Sequence, residues 1–259
     1  PEGGGKYMID QRTRAQRLFL TDVLRGQIDF STTDQRRGVA PPPLQKPADP
    51  ALPRIALAKP EEWQQVVQPV DLREAIARRQ SRRSYRGTPL NLDELSFLLW
   101  ATQGIRRMAG PGSALRTVPS AGARHSFETY LAVRRVSGLA EGLYRFLPLD
   151  NQLVQLREEG SLESSLAEAA YGQSFVGSAA VTFIWACIPY RMEWRYGLTA
   201  HRVILIDAGH LCQNLYLACE AIDAGTCAVA AYDQEAMDQL LGLDGEDEFV
   251  VYLAPVGKC

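Results

Sequence analysis

The chain is short of paired thiols. Its five cysteines, Cys187, Cys212, Cys219, Cys227 and Cys259, are odd in number, and none stands in a Cys-x-x-Cys pair. A disulfide framework is therefore not expected, and free thiols behaving as small hydrophobes in a reducing, cytoplasmic setting are. Histidine is scarce too: three residues, without metal-ligand spacing, so no metal site is expected. Net charge is only −2, which lacks the basic footprint of a nucleic-acid partner. No apolar run exceeds Ala179 to Ile188, too short to span a bilayer, and no charged-then-apolar segment opens the chain. Pro1 to Gly5 reads as a flexible leader. The Gly-x-Gly-x-x-Gly turn of a dinucleotide-binding Rossmann unit is missing. So is the Gly-x-Ser-x-Gly elbow of a hydrolase, which leaves Ser120, His210 and Asp207 without the context of a triad and His210 as a packing residue.

Hydrophobic residues make up 46% of the 259 positions and charged residues 22%, enough for a packed globular core. The chain divides near residue 70. In residues 1–70, Gln11 to Gly26 can form a short helix with Leu18, Phe19, Val23 and Leu24 on one side. Prolines then recur from Pro41 to Pro69 at intervals too short for regular hydrogen-bonded structure. This proline-rich extension should lie extended over a folded body, anchored by Leu52, Ile55, Leu57 and Trp63; a disordered linker is the alternative.

Residues 71–259 read as one domain. Capping boxes at Asp71/Glu74 and Asn91/Glu94 open helices running to Arg79 and to about Gln103. Strands are expected at Phe127 to Val136, Val181 to Ile188, Cys227 to Tyr232 and Phe249 to Val256. A hairpin is expected from Gly142 to Leu156 around Pro148-Leu149-Asp150-Asn151. Helices are expected at Leu162 to Tyr171, Thr199 to Ala224 (ended by Gly225) and Glu235 to Leu241. The result is an α+β arrangement, a small mixed sheet flanked by helices. The long helix from Thr199 is apolar around much of its circumference, which calls for a partner on more than one side.

Three segments carry chemistry. Arg82-Arg83-Ser84-Tyr85-Arg86 gathers three guanidinium groups and a hydroxyl, a set of forked donors matching phosphate oxygens. Alone it also fits a solvated basic helix end. Pro119-Ser120-Ala121-Gly122 is a turn whose small residues let backbone approach a flat ligand. Cys227 to Tyr232 is a small-residue strand end.

In order and spacing these segments resemble the nitroreductase-like flavoprotein superfamily, in detail its SagB-type dehydrogenase branch, which includes azoline-oxidising enzymes of peptide natural-product pathways. The resemblance runs from about Asp71 to Lys258. It implies a homodimer of the nitroreductase-like fold with FMN at the subunit interface. Arg82, Ser84 and Arg86, with Arg83 beside them, would hold the FMN phosphate, ribityl chain and pyrimidine edge. Pro119, Ser120, Ala121 and Gly122 would reach the flavin of the other subunit. Gln173 falls where relatives place an amide or lysine near the flavin, and a surface glutamine fits the position equally. Ala230 and Ala231 would present backbone N–H groups to flavin N5 and O4. Lys258 matches a terminal basic position that reaches the phosphate, or is a solvated tail lysine. Two departures stand out. Ala230 replaces a glutamate found in simpler nitroreductases. Arg195-Tyr196 replaces the branch's Lys-Tyr pair, and arginine does not lose its proton. Tyr196 is therefore the candidate proton-transfer residue with Arg195 holding it, against a plain reading as an amphipathic helix end.

The resemblance implies an FMN-dependent oxidoreductase moving hydride through flavin N5, between NAD(P)H or an organic substrate and an acceptor. The alternative is a flavin-binding scaffold or accessory subunit without turnover.

Overall fold

The two seven-residue strands β4 (Phe127–Val133) and β7 (Val181–Cys187) are buried along their whole length, which requires cover on both faces. In the computed structural model, which describes residues 9–110 and 112–259, they lie at the centre of a seven-stranded sheet of order β1-β6-β5-β4-β7-β9-β8. The other members are β1 (Arg54–Ala56), β5 (Gly142–Leu147), β6 (Gln152–Glu158), β8 (Ala224–Thr226) and β9 (Phe249–Lys258). A separate two-stranded ribbon pairs β2 (Ile105–Gly110) with β3 (Ser113–Arg116). Every strand pair is antiparallel. Among the described residues, parallel pairing is confined to single bridges, Ser81 to Thr226 and Leu90 to Val136. The leader Pro1–Gly5 lies outside the described residues.

Strand alternation sorts the core into two layers. Leu131, Val133, Phe183 and Trp185 point to one face, where α3 (Leu92–Gln103) and α7 (Ala200–Cys219) contribute Leu95, Leu98, Leu99, Leu211 and Leu215. Tyr130, Ala132, Ile184 and Ala186 point to the other. They meet Leu162 and Leu166 of α4 (Leu162–Ala169), Val176 of α5 (Ser174–Ser178), and Met237 and Leu241 of α8 (Gln234–Leu241). The remaining helices are α1 (Gln11–Gln16), α2 (Leu72–Arg78) and α6 (Tyr190–Tyr196). The sheet flanked by helices follows the expected architecture. The Asn91/Glu94 capping box forms as read, whereas Asp71 caps its helix while Glu74 turns to Arg78.

Four local expectations change. The first helix stops at Gln16 and continues only as 3₁₀ turns, because Leu18, Phe19, Val23 and Leu24 are exposed and no packed face stabilises it. The long helix ends at Cys219 plus a 3₁₀ turn closed by left-handed Asp223, not Gly225. Gly225 instead sits in β8, where an added Cβ would come 2.4 Å from Arg82 Cγ. Cys227 to Tyr232 forms no strand beyond one bridge, Val229 to Leu253. Finally, His210 is exposed rather than packed.

The proline-rich segment is tied to the body by buried charge. Arg145 donates to the carbonyls of Lys46 (2.9 Å) and Pro47 (2.8 Å), and Arg116 to that of Leu44 (2.8 Å). Glu128, almost fully buried, accepts from the Lys46 N–H (2.9 Å), Arg191 (2.5 Å) and Arg145 (3.3 Å). Further along, β1 pairs with β6 and closes the sheet edge, so three residues of this segment do hold ladder hydrogen bonds.

Candidate functional site

The residues singled out from sequence fall into two groups. The first forms along the β8 edge. Ser81 to Arg86 runs extended there because the Arg82 N–H donates to the Thr226 carbonyl (2.9 Å) and the Arg86 N–H to that of Lys258 (2.8 Å). Tyr85 turns inward. Its ring lies where a Cβ on Gly257 would approach within 2.8 Å, and its hydroxyl donates to the carbonyls of Arg82 (2.8 Å) and Pro255 (3.1 Å). Burial pushes that hydroxyl's pKa upward, so it stays a protonated donor. With the odd residue anchored, Arg82, Ser84 and Arg86 are left exposed. Among the described residues none of Arg82, Arg83 and Arg86 pairs with a carboxylate, in contrast to Arg78 one turn earlier.

Tyr216, which sequence reasoning did not single out, joins this segment to the next. Its hydroxyl lies 2.9 Å from Ser81 Oγ and accepts from the Ala228 N–H at 2.8 Å, while Arg79 stacks 5.2 Å from its ring centre. One side chain of α7 thus registers both loops. Two residues on, Ala230 and Ala231 are exposed, and neither backbone N–H donates to an acceptor among the described residues. The Gln173 side chain donates to the Ala231 carbonyl (2.8 Å) and to that of Ala170 (2.8 Å), fixing the loop from the α4 to α5 turn. Arg83 lies 5.8 Å over the Phe175 ring in the same neighbourhood. Lys258 is committed elsewhere: its ammonium bonds to Glu94 and donates to the Ile222 carbonyl (2.6 Å).

The second group surrounds the Pro119 turn. Gly122, Ala123 and His125 all have positive φ (58°, 53° and 48°), a costly conformation for the two non-glycine residues. Ser120 faces inward, its Oγ accepting the His125 N–H (2.9 Å), while Pro119 and Gly122 stay exposed. The Ala121 N–H approaches buried Asp207 at 3.4 Å. Burial raises the Asp207 carboxyl above its ordinary range, against the pull of Ser120 and Ala121, and its Oδ2 has no partner among the described residues. Burial together with the Arg116 charge lowers His125 to about 3, keeping it neutral. Gly122 also packs on the Arg195-Tyr196 pair. A Cβ there would lie 2.7 Å from Tyr196 Oη and 2.9 Å from Arg195 Nε, so a larger residue would have to push both side chains aside. The Arg195 guanidinium stands 5.5 Å from the Tyr196 ring centre.

The two groups hang on opposite parts of α7, one at Asp207 and one at Tyr216. Nine residues at a rise of about 1.5 Å separate those anchors by about 13 Å along the axis. No hydrogen bond or ion pair among the described residues joins the two groups within one chain. The outward residues of α7 include Leu205 and Ile206, just before Asp207, 49% and 52% exposed.

Comparison with known proteins follows the same outline. Residues 76–258 match the model of the nitroreductase family. A Methanocaldococcus jannaschii protein bearing the name nitroreductase is 33% identical over 192 residues, covering 74% of this chain and 93% of the relative. A trifolitoxin-processing protein of Rhizobium leguminosarum is 28% identical over 163 residues, 60% of this chain. The match spans under half of that relative's own length, 44%. Among solved structures, a nitroreductase-like protein of Ralstonia eutropha superposes with a TM-score of 0.66 at 26% identity, covering 85% of this chain and 96% of its own. No helix among the described residues is long and apolar enough to cross a membrane.

Proposed function

The chain belongs to the nitroreductase family, and from that premise we propose that it is an FMN-dependent oxidoreductase acting as a homodimer. One observation carries the reading. Exposed arginines without carboxylate partners stand beside two exposed, unbonded backbone N–H groups, with Tyr216 and β9 holding both loops in place. That donor set fits FMN: forked cations for a phosphate, neutral amides for a ring edge, and alanines that leave space over it. Bound there, FMN would supply two-electron chemistry between a donor such as NAD(P)H and an acceptor. Arg82, Ser84 and Arg86 would hold the phosphate, ribityl chain and pyrimidine edge, and Ala230 and Ala231 would present their N–H groups to flavin N5 and O4. Lys258, held by Glu94, would stiffen the clamp rather than lend a free charge.

The second group completes the site only across a dimer. In one chain Pro119 to Gly122 stands away from the clamp, so the partner's copy of that turn is the one that would meet the cofactor. The exposed apolar residues of α7 are the natural seam. The test is direct: purified protein should be yellow, elute as a dimer by light scattering, and bleach anaerobically with NADH or NADPH. A yellow dimer that neither nicotinamide nor any organic donor bleaches would favour a non-turning-over scaffold. A colourless protein that does not bind added FMN would remove the reading altogether.

Tyr196 is the proposed proton-transfer residue. Its hydroxyl touches the Pro119 turn, and Arg195, stacked on its ring, holds it in place while being unable to act as a base. The likeness to a toxin-processing protein supports dehydrogenation of a peptide-derived azoline as one substrate class, with Tyr196 accepting the proton. We expect Tyr196→Phe to lower such dehydrogenation by 10²-fold or more, within the range typical of general bases, and to spare NAD(P)H-driven quinone reduction. Paired assays on both substrates decide it. If neither activity changes, Tyr196 is a packing residue.

A further inference from the structure

The segment from Leu20 to Val39 crosses α6 and is pinned there at several points. The Gln35 N–H donates to the Trp194 carbonyl (2.9 Å), Trp194 Nε1 donates to the Val39 carbonyl (2.9 Å), and the Tyr190 hydroxyl bonds Asp34 (2.8 Å). Arg202 of α7 reaches the Leu20 carbonyl (3.2 Å) and Asp22 (2.9 Å). Beneath this crossing, Arg25, Phe30, Gln35 and Arg36 close with Arg195 and Tyr196 around a cavity of about 210 Å³.

The charge of this cavity is one-sided. Asp22 is shared between Arg25 (2.6 Å) and Arg202 (2.9 Å). Neither Arg36 nor Arg195 pairs with a carboxylate among the described residues. Two of the three guanidinium groups are also held by aromatic faces, Arg25 at 5.7 Å from the Phe30 ring centre and Arg195 at 5.5 Å from that of Tyr196. Stacking occupies the flat face of a guanidinium and leaves its edge donors free. Close by, Arg124 is depressed first by burial and then by the charge of Arg195, as expected where positive charge lacks an answering anion. The volume is below the roughly 300–1,000 Å³ of pockets that enclose a whole small molecule, so it suits a terminal group.

We infer that this cavity binds the anionic end, carboxylate or phosphate, of the organic substrate, with Arg36 and Arg195 as forked donors and Phe30 as the apolar wall. The N-terminal segment thereby supplies substrate selectivity to a site whose chemistry lies in residues 71–259. This gives the arginine that stands in place of lysine a binding task next to Tyr196. The inference rests on the oxidoreductase reading only for calling the ligand a substrate; the anion site itself stands on the cavity.

The test is isothermal titration of the full chain at low salt with benzoate, phenyl phosphate and neutral benzamide. Wild type should bind at least one of the two anions and not benzamide, and the anion bound identifies the source. Arg36→Ala should weaken that binding by about tenfold or more, as loss of a charge-assisted hydrogen bond implies. Arg36 is exposed, so the variant should keep the wild-type unfolding curve. Binding of neither anion, or binding unchanged in Arg36→Ala, overturns the inference. So does binding that survives Arg36→Ala but vanishes in Arg82→Ala, which would move the anion to the other cluster. Flavin absorbance is read on the same samples. Colourless protein with Arg36-dependent anion binding sinks only the flavin reading, and yellow protein without anion binding sinks only this one.

Discussion

Glu128→Ala should cost about 3–5 kcal/mol of folding stability, the range for removing one partner from a buried ion pair. Its carboxylate is nearly inaccessible and receives Arg191 (2.5 Å), Arg145 (3.3 Å) and the Lys46 N–H (2.9 Å). Truncation would leave two buried guanidinium groups facing each other without an anion. Arg145 and Arg191 keep some carbonyl partners, at Lys46, Pro47 and His125, which stops the loss from being larger. Because Arg145 also ties down the Lys46 to Pro47 backbone, the proline-rich segment should become cleavable by protease under native conditions. Urea unfolding followed by fluorescence, with limited proteolysis beside it, measures both. A loss below about 1 kcal/mol would mean that water reaches the pair and that it behaves as a surface salt bridge.

Arg82→Ala should weaken FMN binding by about 2 kcal/mol, close to thirtyfold, because a charge-assisted contact to phosphate disappears. The fold should survive. The guanidinium is exposed, and the segment's backbone is fixed by the Arg82 N–H on Thr226 and the Arg86 N–H on Lys258, neither of which needs the side chain. The one structural debt is the Arg82 stem lying over Gly225, whose removal uncovers a little backbone. Titration of flavin-free protein, followed by quenching of flavin fluorescence, gives the affinity, and thermal unfolding of the apo form controls for stability. Unchanged affinity with an unchanged unfolding curve would refute the phosphate clamp.

Several features were legible because they are local. The Asn91/Glu94 capping box is a four-residue event that closes as its spacing demands. The continuous apolar run at Val181 belongs to a strand covered on both faces, and it is one. Other features were misplaced because distant partners override local preference. Gly225 looked like a helix stop. Its actual task is to admit the Arg82 stem, a neighbour more than 140 residues away, while Asp223 makes the left-handed turn. Leu18 to Leu24 shows an apolar face, but its side chains stay 38–72% exposed, too little burial for a regular helix to persist.

Sequence by itself determined the family, the strands β4, β5, β6, β7 and β9 with the helices α2, α3, α4, α7 and α8, and the segments that carry guanidinium and small-residue chemistry. Those depend on residue type and spacing along the chain. Tertiary structure alone decided how the segments combine. It made Tyr216 the post that registers Ser81 with Ala228, turned Ser120 inward onto His125 and Asp207, and gave Lys258 to Glu94. It also set the Pro119 turn and the Arg82 to Arg86 segment at different levels of one helix, and brought Arg36 beside Arg195 across more than 150 residues. Hydrogen bonds and charges act over a few ångströms of space, and only the closed sheet with its packed helices sets which residues lie within that range.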